Sequence, residues 1–189
     1  MPQMECQRGA VPDGLHHSEL DRVTPAGRIS RVIDISASQG HVVPTALVHH
    51  RGTYIANLGV FDPSDGTGDE HVGRLTPHRT LRVRATGVEK VLGLAFRDGK
   101  LYALEMSTTA GGPTPGTGAI VQVGPSGPVK TIVSGLTFPT GMTVGSDEAF
   151  YVSNQGLGFG PGAGQILRIL SWPPRRSRAS FAAARDRSR

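Results

Sequence analysis

"GLTFPTGMTVGSDEAFYVSN", residues 135–154, decides the fold once it is compared with the rest of the chain. A Phe-Pro-Thr-Gly turn leads into a short apolar run, then a polar turn, then an aromatic and aliphatic run that stops at Asn154. "PTALVHHRGTYIAN" (44–57) and "VLGLAFRDGKLYALE" (91–105) follow the same grammar. Tyr54, Tyr102 and Tyr151 recur at spacings of 48 and 49 residues. Fixed periods of this size mark propellers and solenoids.

A second half-repeat follows each of these stretches, as "HVGRLTPHRTLRVRATG" (71–87), "AIVQVGPSGPVKTIVSG" (119–135) and the shorter "GQILRI" (164–169). A fourth copy, "LDRVTPAGRISRVI" (20–33), has no matching first half before it. Val23, Leu75, Val123 and Ile169 hold the same place, and Pro25, Pro77 and Pro125 follow three of them two residues later, where a turn ends the pairing. The central unit reads as four strands: Leu94–Phe96, Leu101–Leu104, Ile120–Val123 and Val129–Val133. Four strands per unit of about 48 residues is a β-propeller blade. The fold expected is all-β, a partial β-propeller of about three four-stranded blades. These cover 44–88, 91–136 and 139–169, with a partial sheet near 20–34 and a helix at most in the tail. A β-sandwich is the runner-up, and it leaves the repeat of whole four-strand units unexplained.

Composition agrees. Gly and Pro make up about a fifth of the 189 residues, which suits short strands and turns. The formal charge of +5 is concentrated in residues 170–189, where six Arg face Asp186, leaving 14 basic against 14 acidic residues in the first 169. A basic tail is not a binding stripe, so nucleic-acid binding is not expected. Three regions follow: an irregular N-terminus (1–19), the partial propeller (20–169) and a basic, disordered tail (170–189). Cys6 is the only cysteine, which excludes an internal disulfide and argues against thiol metal sites. No run of 18 apolar residues spans a membrane, and "MPQMECQRGAVPDG" lacks the apolar core of a signal peptide.

The elements "VLGLAFRDGKLYALEMSTT", "GAIVQV", "SGLTFPTG", "YVSN" and "GQILRI" resemble the ScyD/ScyE family, six-bladed TolB-like propellers, over roughly residues 20–169. The chain is more distantly similar to NHL-repeat and gluconolactonase-type propellers. The resemblance implies a member of about twice this length, with six blades and an export signal, so the sequence here reads as a truncated member. Open sheets at the ends of a partial ring predict self-association and poor solubility for the isolated chain.

The long connections between second and third strands, Leu58–Glu70, Met106–Gly118 and Gln155–Ala163, share one rim with the turns that lead into each blade. Longer, variable loops are commonly the binding face of repeat proteins. That rim is the expected contact surface for a small molecule or protein partner, in a propeller without catalytic activity or cofactor. Asn57, Glu105 and Asn154 stand at equivalent positions just before these loops, with the hard oxygens that suit Ca²⁺. Capping of backbone groups at the strand ends is the favoured alternative. A calcium-dependent lactonase or hydrolase is the competing function. In gluconolactonase-type enzymes the ligand slots precede the Gly of a blade's innermost strand, and the matching residues here are Thr45, Leu92 and Thr140, which argues against that chemistry. The acidic loop "DPSDGTGDE" (62–70) lacks EF-hand spacing. His16-His17 and His49-His50 are adjacent pairs that a strand would point to opposite faces, and His71 and His78 have no counterpart in the other copies.

Overall fold

The computed structural model describes residues 4–10, 16–40, 42–59 and 70–170. Four separate antiparallel sheets follow one another along the chain. The first holds β1 (Met4–Ala10), β2 (His16–Val23) and β3 (Ile29–Asp34). The second is β4 (Pro44–His49), β5 (Thr53–Asn57), β6 (His71–Leu75) and β7 (Leu81–Thr86). The third is β8 (Val91–Arg97), β9 (Lys100–Glu105), β10 (Gly118–Val123) and β11 (Pro128–Leu136). The fourth is β12 (Gly141–Val144), β13 (Phe150–Asn154) and β14 (Gln165–Ile169). In each sheet, sequence neighbours are spatial neighbours, the up-and-down meander of a blade.

Local chemistry sets the hairpins. Asp98 and Gly99 have φ of 54° and 71° and close a two-residue turn across which Arg97 pairs with Lys100. Asp-Gly suits such a turn because both positions need positive φ.

Alternation along the strands explains why the sheets stack. In β9, Leu101 and Ala103 enter the core shared with the second sheet, while Tyr102 and Leu104 enter the core shared with the fourth. In β10, Ala119, Val121 and Val123 take the first side and Ile120 the second. Successive side chains on a strand point to opposite faces, so apolar residues in every position bury the sheet on both. A third core, built on Leu20, Ile33, Ile35, Val42 and Ile55, joins the first sheet to the second.

The first strands of consecutive sheets lie side by side. The Thr45 hydroxyl on β4 donates to the Val91 carbonyl on β8. A Cβ added to Gly93 on β8 would meet Met142 Cβ on β12 at 3.1 Å. Sheets packed face to face around converging first strands make a partial β-propeller, and the all-β reading holds.

Two details were not expected from the sequence. Within the segment 1–19, expected to be irregular, residues 4–10 form β1 and residues 16–19 the start of β2, which pair from Met4↔Arg22 to Ala10↔His16, giving β2 a partner on each edge. A short helix, α1 (Ser36–Gln39), lies outside the tail. Asp34 Oδ1 accepts from Ser36 Oγ at 2.6 Å and Ala37 N at 3.2 Å, and buried Ile35 anchors the turn. As the shorter last repeat implies, the fourth sheet holds three strands among the described residues, and the first also holds three. The expected disordered tail lies outside the described residues beyond Leu170, as does most of the acidic loop 62–70.

Candidate functional site

Each long loop begins against the turn that leads into its blade. Leu58 N donates to Val43 O at 2.8 Å, Met106 N to Lys90 O at 3.0 Å and Gln155 N to Thr137 O at 2.8 Å. These bonds gather the leading turns and the loop starts on one rim, blade after blade.

Asn57, Glu105 and Asn154 sit at the ends of β5, β9 and β13, and all three are buried. Asn57 Oδ1 accepts the His71 N–H at 2.8 Å, tying the end of β5 to the start of β6. Glu105 Oε1 accepts the Glu89 N–H at 3.0 Å, and Asn154 Oδ1 accepts the Thr137 N–H at 2.8 Å. Asn154 Nδ2 also donates to Gln165 Oε1 at 3.1 Å. One oxygen of each residue is therefore committed to a backbone donor that would be costly to leave unpaired.

Two of the three lactonase-type slots are similarly engaged. Thr45 bonds across to the next sheet, and Thr140 Oγ1 donates to Ser153 Oγ at 3.2 Å. Three of the described histidines have local partners. His49 Nδ1 lies 3.0 Å from Thr53 Oγ1, His50 stacks on Phe96 with centroids 4.5 Å apart, and His71 Nε2 lies 3.0 Å from Gln39 Oε1. Among the described residues, no three His, Cys, Asp or Glu side chains stand close enough together to hold a metal ion.

The middle blade carries the rim's unusual chemistry. The Glu105 carboxyl is raised to about 7, chiefly by burial; the Glu89 N–H opposes the rise, the Glu89 charge adds to it and the Lys90 charge pulls it down. Lys90, only 4% exposed, donates from Nζ to Thr109 O at 2.8 Å and lies 3.4 Å from Glu89 Oε2. Beyond it the loop is knitted by hydroxyls. Buried Ser107 Oγ lies 2.7 Å from Thr109 Oγ1 and 2.8 Å from Thr117 Oγ1, and accepts Thr114 N–H at 3.2 Å. A buried carboxyl of raised pKa beside a charged partner on a loop rim has the physical profile of a functional site.

Sequence reasoning placed Glu105 here but missed Glu89, Lys90 and Ser107. The available signal was Lys90 itself, since the residues just before the matching stretches in the other blades are Val43 and Phe138.

No family model matches the sequence, and no curated protein is similar enough to match it. Solved structures do. The chain resembles a protein assigned as a gluconolactonase, at TM-score 0.52 and 18% identity, covering 86% of this chain and 59% of that one. It also resembles a luciferin-regenerating enzyme (0.48, 12%, covering 79% and 54%) and virginiamycin B lyase from Staphylococcus aureus (0.45, 16%, covering 86% and 54%). At these identities the likeness is one of fold, and the first carries it: the chain has the architecture of a partial β-propeller. It spans less than two thirds of the length of each of these three structures.

Proposed function

We propose that this chain belongs to a non-catalytic propeller of the ScyD/ScyE type that binds a small molecule or a protein partner on its long-loop rim. The observation that supports this reading is the commitment of the candidate ligands. Asn57, Glu105 and Asn154 each hold a backbone N–H, and the hydroxyls of Thr45 and Thr140 are bonded as well. Polar groups already bonded inside the fold serve as structural caps, leaving recognition to the exposed parts of the loops.

The second reading, a calcium-dependent lactonase or hydrolase, draws on the likeness to the protein assigned as a gluconolactonase. It requires Asn57, Glu105 and Asn154 to turn their oxygens to a cation. Calcium titration by calorimetry separates the two. The binding-propeller reading expects no tight stoichiometric heat. Tight binding that Asn154→Ala abolishes, accompanied by lactone hydrolysis, would replace it with the enzyme reading.

Self-association through the two outer sheets is part of the same proposal. Ile29 on β3 and Ile166 on β14 are 57% and 72% exposed, large apolar groups on strands at the edge of their sheets. Light scattering across a dilution series tests it, since a mass that stays monomeric at every concentration rejects it.

A further inference from the structure

The repeat supplies its own control for Lys90. The residues that precede the matching stretches in the three blades are Val43, Lys90 and Phe138. Lys90 and Phe138 share a left-handed φ of 43°. An aliphatic or an aromatic residue therefore satisfies the blade at this point. A lysine is seldom fully buried unless it is paired, because removing an ammonium from water is costly. Its presence in the middle blade calls for a specific compensation.

Neighbouring oxygens supply that compensation. The ammonium reaches the Thr109 carbonyl at 2.8 Å and Glu89 Oε2 at 3.4 Å, and its charge favours the ionised form of Glu105. A main-chain carbonyl and a carboxylate are oxygens suited to a cation, and here the cation is covalently attached to the chain. Thr109 belongs to the Ser107 hydroxyl cluster, which also includes Thr114 and Thr117. The ammonium thus connects the turn leading into the blade with the interior of its long loop.

We propose that Lys90 is a positioning residue of the rim: its buried ammonium, held by Thr109 O and Glu89, acts as a tethered cation that fixes the shape of loop 106–117. This deepens the rim-binding reading, since it says how one of the proposed contact loops keeps its form. It adds that the middle blade holds that form without a free metal ion.

The test uses the full chain and reads loop order in the absence of any ligand, so its failure leaves the rim-binding reading standing. Lys90→Met keeps most of the aliphatic stem and removes the charge, and Lys90→Ala removes both. Amide hydrogen exchange is followed in loop 106–117 and in strands β8–β10. For Lys90→Met the loop amides should exchange faster by about tenfold or more, as loss of a hydrogen bond to a charged group implies, while the strands keep their protection. In Lys90→Ala, methylammonium chloride should restore part of the loop's protection where sodium chloride at equal ionic strength does not. Unchanged loop exchange in Lys90→Met would overturn the proposal. So would equal recovery in both salts, or loss of protection across the whole sheet in both variants, which would make the ammonium a core requirement and not a rim device.

Discussion

Glu105 shows at the scale of one residue how position and role part company. Its carboxyl is raised from 4.5 to about 7, chiefly by burial, with the Glu89 charge adding to the rise. The unfolded chain releases this proton near pH 4.5, whereas the folded protein keeps it until about pH 7. Between those values the folded state binds more protons, so raising the pH lowers stability. The contribution is whole below about pH 4.5 and gone above about pH 7. Glu105→Gln keeps an oxygen for the Glu89 N–H and cannot titrate. Denaturant melts across this window should therefore show a decline in the wild type, relative to the variant, that levels off above pH 7. Asn154 gives a second prediction. Asn154→Ala leaves the Thr137 N–H without its acceptor and should cost about 1–3 kcal/mol in urea unfolding. Asn154→Asp, which retains that acceptor, should cost less. Sequence alone located Asn57, Glu105 and Asn154 because the repeat aligns them. It could not say which atom faces each side chain, because the donors come from leading turns 16 and 17 residues earlier for Glu105 and Asn154, and from the following strand for Asn57.

Among elements, β8 and β10 define how closely neighbouring blades approach. A Cβ on Gly118 would lie 2.8 Å from Pro139 Cδ and 3.0 Å from the Leu136 carbonyl, a backbone atom that cannot swing aside. Gly118→Ala should cost about 1–3 kcal/mol through this crowding. Gly112, in the same blade's long loop, has open space where a methyl group would stand, with nothing within 4 Å. Gly112→Ala should stay within about 0.5 kcal/mol of wild type in the same denaturation experiment. Strand number and order within the blades were legible because β-branched runs, Tyr and Gly turns repeat in step. Strand ends were not. The expected Leu94–Phe96 and Val129–Val133 extend to Val91–Arg97 and Pro128–Leu136, since backbone pairing continues past the residues of strong β-propensity. β1 was missed because in "MECQRGA" the alternation of Met4 and Cys6 with polar residues is broken at Arg8, and its pairing comes from β2. α1 spans only four residues, too few to show a helical period.

Across the whole molecule the cores lie between sheets, so stability is shared between neighbours rather than held in one centre. Among the described residues Phe150 is the largest fully buried side chain, and it joins the third sheet to the fourth. Its ring meets Tyr102 edge-on at 4.9 Å, and the Arg97 guanidinium lies 4.1 Å from its centroid. Phe150→Ala should remove about 3–5 kcal/mol. The damage should fall on β12–β14 and on the adjoining face of the third sheet, leaving the junction of the first two sheets intact. Residue-resolved hydrogen exchange checks that distribution, and uniform loss of protection from β2 to β14 would contradict it.

Three fastenings between neighbouring blades reach across about one repeat. Thr45 to Val91, Arg84 to Gly124 and Arg97 to Glu148 are 46, 40 and 51 residues apart. None of these three ties skips a blade. A chain fastened only to its neighbours behaves as a nearly one-dimensional stack. Held by β1 and β14 and pulled, it would not yield in one break. It should release sheet by sheet, each rupture letting out about one repeat of slack before the next seam takes the load.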